Sequence, residues 1–231
     1  METVIIPVDG GAMSVEIARP TVPARTPRGL LVIQEAFGVN DHIRDVCGRF
    51  AALGFTAIAP DLFHRTAPGP LGYDDMEGPK KHVDAMTLDG IAADVHAAHA
   101  WLSSQPGIGA NVAIIGYCMG GRVAYHANSL VPFRAAVAYY GNIPPTMLGF
   151  AAQQQAPILM IWGGKDPFIP PERRRAVADA LTAAGKEHHQ VVFSNGDHGF
   201  FNEARSATYS PEASRLAWAL TVEFLRAKFG D

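Results

Sequence analysis

The chain has 231 residues, 48 % of them hydrophobic and 18 % charged, with a formal net charge of -3 at pH 7. That balance suits a globular chain with a sizeable core and excludes a disordered one. The small negative charge provides no basic field for nucleic acid or for an anionic membrane surface. No run approaches the roughly 20 consecutive apolar residues of a membrane span. The opening METVIIPVDG lacks the basic flank and apolar stretch of a secretory signal. Two cysteines, Cys47 and Cys118, cannot build a disulfide framework, so a reducing cytoplasm is the expected compartment.

Taken in chain order, strand-like runs alternate with helical patterns, which predicts one α/β domain over residues 1–231 with a mostly parallel sheet and helices on both faces. TVIIPV and AMSVEIA flank Asp9-Gly10-Gly11 as an opening hairpin. GLLVIQ reads as a buried strand. A helix from Asp41, with Asn40 and Asp41 at its cap, carries Ile43, Val46, Cys47, Phe50 and Leu53 on one stripe and stops at Gly54. FTAIAP is the next strand. From Asp61 to about Met86 the chain is rich in Pro, Gly and Asp with weak periodicity, which predicts a long functional cover. Leu88, Ile91, Val95, Ala98 and Leu102 mark another helix. Then come a strand over 111–115, a helix over 120–129, and the strands RAAVAYY and APILMIW. A helix from Pro171 to about Ala184, the strand HQVVF and a helix from Pro211 to about Phe229 complete the series.

The corner between strand 111–115 and the following helix reads Gly116-Tyr117-Cys118-Met119-Gly120. This is the glycine-flanked pattern of a nucleophile on a sharp strand-to-helix turn, with sulfur in place of the usual hydroxyl. Such a turn closes only if the positions two before and two after lack side chains, here Gly116 and Gly120. The sulfur would then stand at a helix N-terminus, which lowers a thiol pKa. The Met119 N–H would face an oxyanion. The competing reading of the five residues alone is a small buried cysteine in a glycine-rich turn. Two further signals favour chemistry: WGGKDPFIP places Asp166 in a turn after one strand, and NGDHGF places His198 after the next. Nucleophile, acid and histidine follow in the order of a hydrolytic triad, and no serine lies in a comparable glycine-flanked context.

Together GYCMGG, GGKDPFIP, GDHGF and QEAFGVN resemble the dienelactone hydrolase family of small α/β-hydrolases, also called carboxymethylenebutenolidases, over nearly the whole chain. The resemblance implies the α/β-hydrolase fold, triad roles for Cys118, Asp166 and His198, and hydrolysis of small esters or lactones through a thioester. It also implies that Glu35 contacts the resting thiol and that the Ala36 N–H joins that of Met119 in the oxyanion hole. From the residues alone, Glu35 pairs instead with Arg44 or water at the strand end.

The pattern departs from the family where the substrate carboxylate is held by arginines. The position four after the histidine is Asn202, and no arginine lies between Arg65 and Arg122. Lys80 and Lys81 occupy the general region of one missing arginine, either as carboxylate contacts or as a solvated loop. Dienelactone itself is therefore a doubtful substrate, and Asn202→Arg would be expected to restore a clamp. Phe37, Tyr117 and Phe200 either line a pocket or fill the core. Cys47 reads as structural, and His96 and His99 share a helix face without a third ligand. No metal or organic cofactor is expected, and the chain is expected to act as a monomer on a small-molecule ester or lactone. The alternatives are a non-catalytic scaffold binding a small ligand, or an acyltransferase.

Overall fold

The computed structural model describes residues 1–9, 11–22, 24–67, 69–74 and 77–230; Gly10 of the expected hairpin turn lies outside them. Among these residues are eight strands, six α-helices and one 3-10 helix. They fall into two compact units, Met1–Ile114 and Ile115–Asp231.

In the first unit β1 (Glu2–Val8) and β2 (Gly11–Ala18) form the antiparallel hairpin, with Val4 opposite Val15 and Ile6 opposite Met13. Alternation puts Met13, Val15 and Ile17 inside, while Ile5 is exposed. β2 runs antiparallel to β4 (Phe55–Pro60), which pairs in parallel with β3 (Arg28–Ile33), giving the order β1-β2-β4-β3. The parallel pair is nearly all apolar and buried, as expected for strands covered on both faces.

Helix α1 (Asp41–Ala52) starts where the Asn40 side chain accepts the N–H of Ile43. It buries Ile43, Val46, Cys47 and Phe50, each worth about 1.5–3 kcal/mol of transfer free energy for the larger side chains. Leu53 caps its end, and Gly54 takes the left-handed φ of 88° that turns the chain into β4. Helix α3 (Leu88–Ser103) is capped by Thr87 and buries Ile91, Val95, Ala98 and Leu102. Leu88, expected on that stripe, is exposed in the first turn.

The expected 61–86 cover contains a short helix, α2 (Glu77–Asp84), that periodicity does not reveal because its eight residues include Gly78 and Pro79. Tertiary contacts hold it: His82 is buried and its Nδ1 lies 2.8 Å from Thr66 Oγ1. The segment is anchored at Arg65, whose two terminal nitrogens donate to the buried Asp94 carboxylate at 2.7 and 2.9 Å. Further along, Leu71 N–H donates to Phe37 O, and Tyr73 packs edge-on against Phe37. Pro68, Asp75 and Met76 of this stretch lie outside the described residues.

Strand β5 (Val112–Tyr117) runs across the division into the second unit and extends two residues beyond the expected strand. There β6 (Ala136–Tyr139), β7 (Ile158–Gly163) and β8 (His188–Phe193) lie side by side, all parallel. Helices α4 (Met119–Leu130), α5 (Pro171–Ala183) and α6 (Pro211–Phe229) accompany them, the last two with proline at their first position. The buried Tyr139 hydroxyl and Thr221 Oγ1, 2.7 Å apart, tie β6 to α6. The 3-10 helix Pro145–Gln153 falls where the sequence predicts no element. Gln154, at its end, accepts from Asn128 of α4 at 2.7 Å.

Candidate active site

The elbow is built by close backbone approach. A Cβ on Gly116 would lie 1.9 Å from the carbonyl oxygen of Gly120, so β5 can turn directly into α4 only without one. Gly121, outside the expected five-residue pattern, has an equal part: its Cβ would meet Tyr139 O at 2.6 Å, and α4 therefore sits hard against the end of β6. Cys118 carries the strain, at φ 55° and ψ -117° as the residue before α4. Its N–H donates to Tyr139 O at 3.0 Å, and its carbonyl accepts from Gly121 N–H at 3.0 Å. The thiol is partly exposed, whereas Met119 is buried.

Asp166 follows β7 in a turn closed by its own side chain, Oδ1 accepting the Phe168 N–H at 2.9 Å. His198 follows β8. The two loops lie in backbone contact: Gly164 N–H donates to Phe193 O at 2.7 Å and Lys165 N–H to Gly196 O at 2.9 Å. A Cβ on Gly163 would sit 2.5 Å from Gly196 O. This packing brings His198 Nδ1 to 2.7 Å from Asp166 Oδ2, and His198 Nε2 to 3.0 Å from Cys118 Sγ. Burial alone would lower the histidine pKa, but hydrogen bonds to Asp166 and Cys118, and their charges, outweigh it and raise the value to about 10. Three side chains from distant parts of the chain thus form one chain of contacts, with the carboxylate almost wholly buried behind the ring.

Two residues that the sequence reading did not single out flank the imidazole. Tyr140 packs edge-on at 5.2 Å between ring centroids and has a positive φ of 36°. Phe168, 58 % exposed, packs edge-on at 5.1 Å. Their signal in the sequence is position: Tyr140 closes the apolar run RAAVAYY, one residue past β6 and just before Gly141, and Phe168 lies two residues beyond the acid.

The other expected site residues divide differently. Glu35 and Ala36 follow β3 in the first unit; Glu35 is fully buried. Arg44, an expected partner of Glu35, reaches Glu16 at 3.5 Å and Asp41 at 3.2 Å. Phe37, Tyr117, Phe200 and Asn202 are all buried and belong to the packing of the core. Tyr117 stacks on Phe201 at 5.4 Å, Phe200 packs against Tyr140 and Phe193, and Asn202 Oδ1 accepts the Ala204 N–H at 3.0 Å. An arginine at 202 would have to bury its charge there, so the expected gain from Asn202→Arg is withdrawn. Lys80 and Lys81 are exposed on α2, with Lys80 paired to Asp84 four residues on; this is the solvated alternative. Among the described residues no three His, Cys, Asp or Glu side chains group to hold a metal ion, and no helix is long and apolar enough to cross a membrane.

A mostly parallel α/β arrangement, with a strained nucleophile-type elbow at one strand end and an acid and a histidine at the ends of later strands, defines an α/β-hydrolase. The chain belongs to the dienelactone hydrolase family, whose profile matches residues 13–229. It is 32 % identical over 235 residues to a Salmonella typhimurium protein named "Putative carboxymethylenebutenolidase", covering 97 % of this chain and 86 % of that one. A Synechocystis protein of the same name is 35 % identical, with 87 % and 86 % covered. A crystal structure titled "Putative Dienelactone Hydrolase", from Klebsiella pneumoniae, matches with a TM-score of 0.90 at 31 % identity over 97 % of both chains. Membership makes the chain a dienelactone hydrolase-like hydrolase, of the ester and lactone class.

Proposed function

We propose that this hydrolase uses Cys118 as nucleophile, His198 as general base and acid, and Asp166 as the group that orients the imidazole. The observation carrying the reading is the Sγ–Nε2 distance of 3.0 Å together with the Nδ1–Oδ2 distance of 2.7 Å. The Asp166 carboxylate accepts the Nδ1–H, and a His198 pKa raised to about 10 leaves Nε2 already holding the proton from sulfur in the resting pair. Once Nε2 has that proton, the sulfur attacks the ester or lactone carbonyl carbon and the carbonyl oxygen becomes an oxyanion. The Met119 N–H, at the positive end of α4, is the donor assigned to that oxygen. Collapse breaks the acyl C–O bond, and the leaving oxygen takes the proton from Nε2. A thioester to Cys118 remains. Water then gives a proton to Nε2 and adds its oxygen to the thioester, and the sulfur departs to leave a carboxylic acid.

Glu35 and the Ala36 N–H keep the parts the family resemblance gives them, as resting partner of the thiol and second oxyanion donor. The substrate class that fits is a small neutral ester or lactone. Asn202 stands buried where the family places an arginine, and Lys80 and Lys81 lie exposed on α2, Lys80 beside Asp84, so no cation is assigned to a substrate carboxylate. A turnover panel of dienelactone, neutral lactones and short-chain aryl esters tests this. Neutral substrates should be hydrolysed faster than dienelactone, and Cys118→Ala should lose at least about 10³-fold in kcat. Turnover undiminished in Cys118→Ala would remove the nucleophile. A panel with no turnover would leave a ligand-binding scaffold, and transfer to added alcohols or thiols in preference to water would make the enzyme an acyltransferase.

A further inference from the structure

Helix α5 opens with Pro171-Glu172-Arg173-Arg174-Arg175, three cations in a first turn where the helix dipole disfavours positive charge. Arg175 is exposed, but Arg173 and Arg174 are half-buried and both spend their guanidinium groups on neutral oxygens. Arg173 donates to Asn142 Oδ1 at 3.2 Å and to Ile143 O at 3.3 Å, in the loop after β6. Arg174 makes the more telling pair. One nitrogen, Nη1, donates to Gly163 O at 3.1 Å and to Ile169 O at 2.8 Å. Gly163 is the last residue of β7 and Ile169 is fully buried, and between them lies the whole segment that carries Asp166.

The geometry points to Arg174 as a positioning residue: its guanidinium ties the two ends of the Gly163–Ile169 segment together and so fixes the Asp166 carboxylate against His198. This deepens the cysteine hydrolase reading and rests on it. The rest of the segment is held from the other side. Gly164 and Lys165 donate their N–H groups to the loop before His198, and Asp166 binds its own turn through the Phe168 N–H. Those bonds set how deep the acid sits. None of them joins the entry of the segment to its exit, and that closure belongs to Arg174 alone among the described hydrogen bonds. An arginine suits the task because its planar, permanently charged donor holds two carbonyls at a defined angle, which a lysine cannot do. The cation also offsets the unfavourable desolvation of two carbonyls that end a strand and a turn.

Without the clamp, the carboxylate can swing away from Nδ1, and a displacement near 1 Å costs one to two orders of magnitude in such a contact chain. The test compares Arg174→Met, Arg174→Lys and, as a control, Arg175→Met, by kinetics on an aryl ester and by NMR titration of the His198 ring. The charged neighbours on the packed segments, Lys165, Asp197 and Arg173, stay in place in every variant. Arg174→Met should lower kcat about ten-fold or more with KM little changed, and move the His198 midpoint from about 10 down towards 6.5. Arg174→Lys, which keeps the charge but has a freely rotating ammonium in place of the planar fork, should recover part of both, and Arg175→Met should change neither. A folded Arg174→Met or Arg174→Lys protein whose His198 titrates as in the parent overturns the assignment, even if its stability or kcat has fallen. The NMR reading needs no substrate, so full activity in Cys118→Ala would remove the hydrolase reading while leaving the Arg174 result intact.

Discussion

Gly116→Ala is the smallest change that attacks the elbow itself. One methyl group would be placed 1.9 Å from Gly120 O, 2.3 Å from Gly120 C and 2.9 Å from Gly121 N, where real Cβ atoms keep at least 3.0 Å. All three atoms are backbone of the first turn of α4, so no side chain can swing aside. The carbonyl must retreat by about 1 Å, and α4 cannot retreat freely because Cys118 N–H is bonded to Tyr139 O and Gly121 leaves no room there even for a Cβ. Overpacking against backbone at a fully buried site costs about 3 kcal/mol, which in a chain of this size lowers Tm by about 6–12 °C. The same displacement lengthens the 3.0 Å Sγ–Nε2 contact and should lower kcat about 100-fold. Thermal unfolding followed by circular dichroism, with aryl ester turnover on the same sample, reads both. Gly149→Ala is the control, since nothing lies within 4 Å of its Cβ; it should be neutral or slightly stabilising. Parental Tm and kcat in Gly116→Ala would show that the elbow is not the rigid corner described.

Three other outcomes follow from the same geometry. Iodoacetamide should add one group to the native protein, at Cys118, and a second at Cys47 only after denaturation, because burial drives the Cys47 thiol pKa far up; peptide mass spectrometry locates both. Asp94→Asn should cost about 3 kcal/mol in urea unfolding, since it leaves Arg65 and His64 facing a neutral amide in place of a buried carboxylate. His198 should make stability pH-dependent. Its folded pKa of about 10 lies above the ordinary 6.5, so its stabilisation is complete below about 6.5 and is lost as pH rises through 10. Unfolding free energies of the parent and of His198→Gln, from urea titrations, should converge over that window.

Much of this was legible in the sequence because it rests on local chemistry. Asn40 and Gly54 bound α1 by capping and by a left-handed turn, both residue-specific effects. The order of Cys118, Asp166 and His198 follows from strand ends, which apolar runs mark well. What was not legible depends on packing at a distance. Helix α2 exists because His82 is buried against Phe63 and Thr66, although the helix's own residues are poor helix formers. Phe37, Tyr117, Phe200 and Asn202 could not be divided between wall and core, since one pattern of aromatic and polar residues serves both until neighbours are known. The clamp by Arg174 joins carbonyls six residues apart, and carbonyls leave no trace in composition.

Acid-quenched turnover of an aryl ester, digested and read by mass spectrometry, bears most directly on the proposed covalent step. The Cys118 peptide should carry the acyl group as a hydroxylamine-labile thioester, absent from Cys118→Ala, which should also be inactive. Acyl label on another residue, or steady turnover by Cys118→Ala, would contradict it.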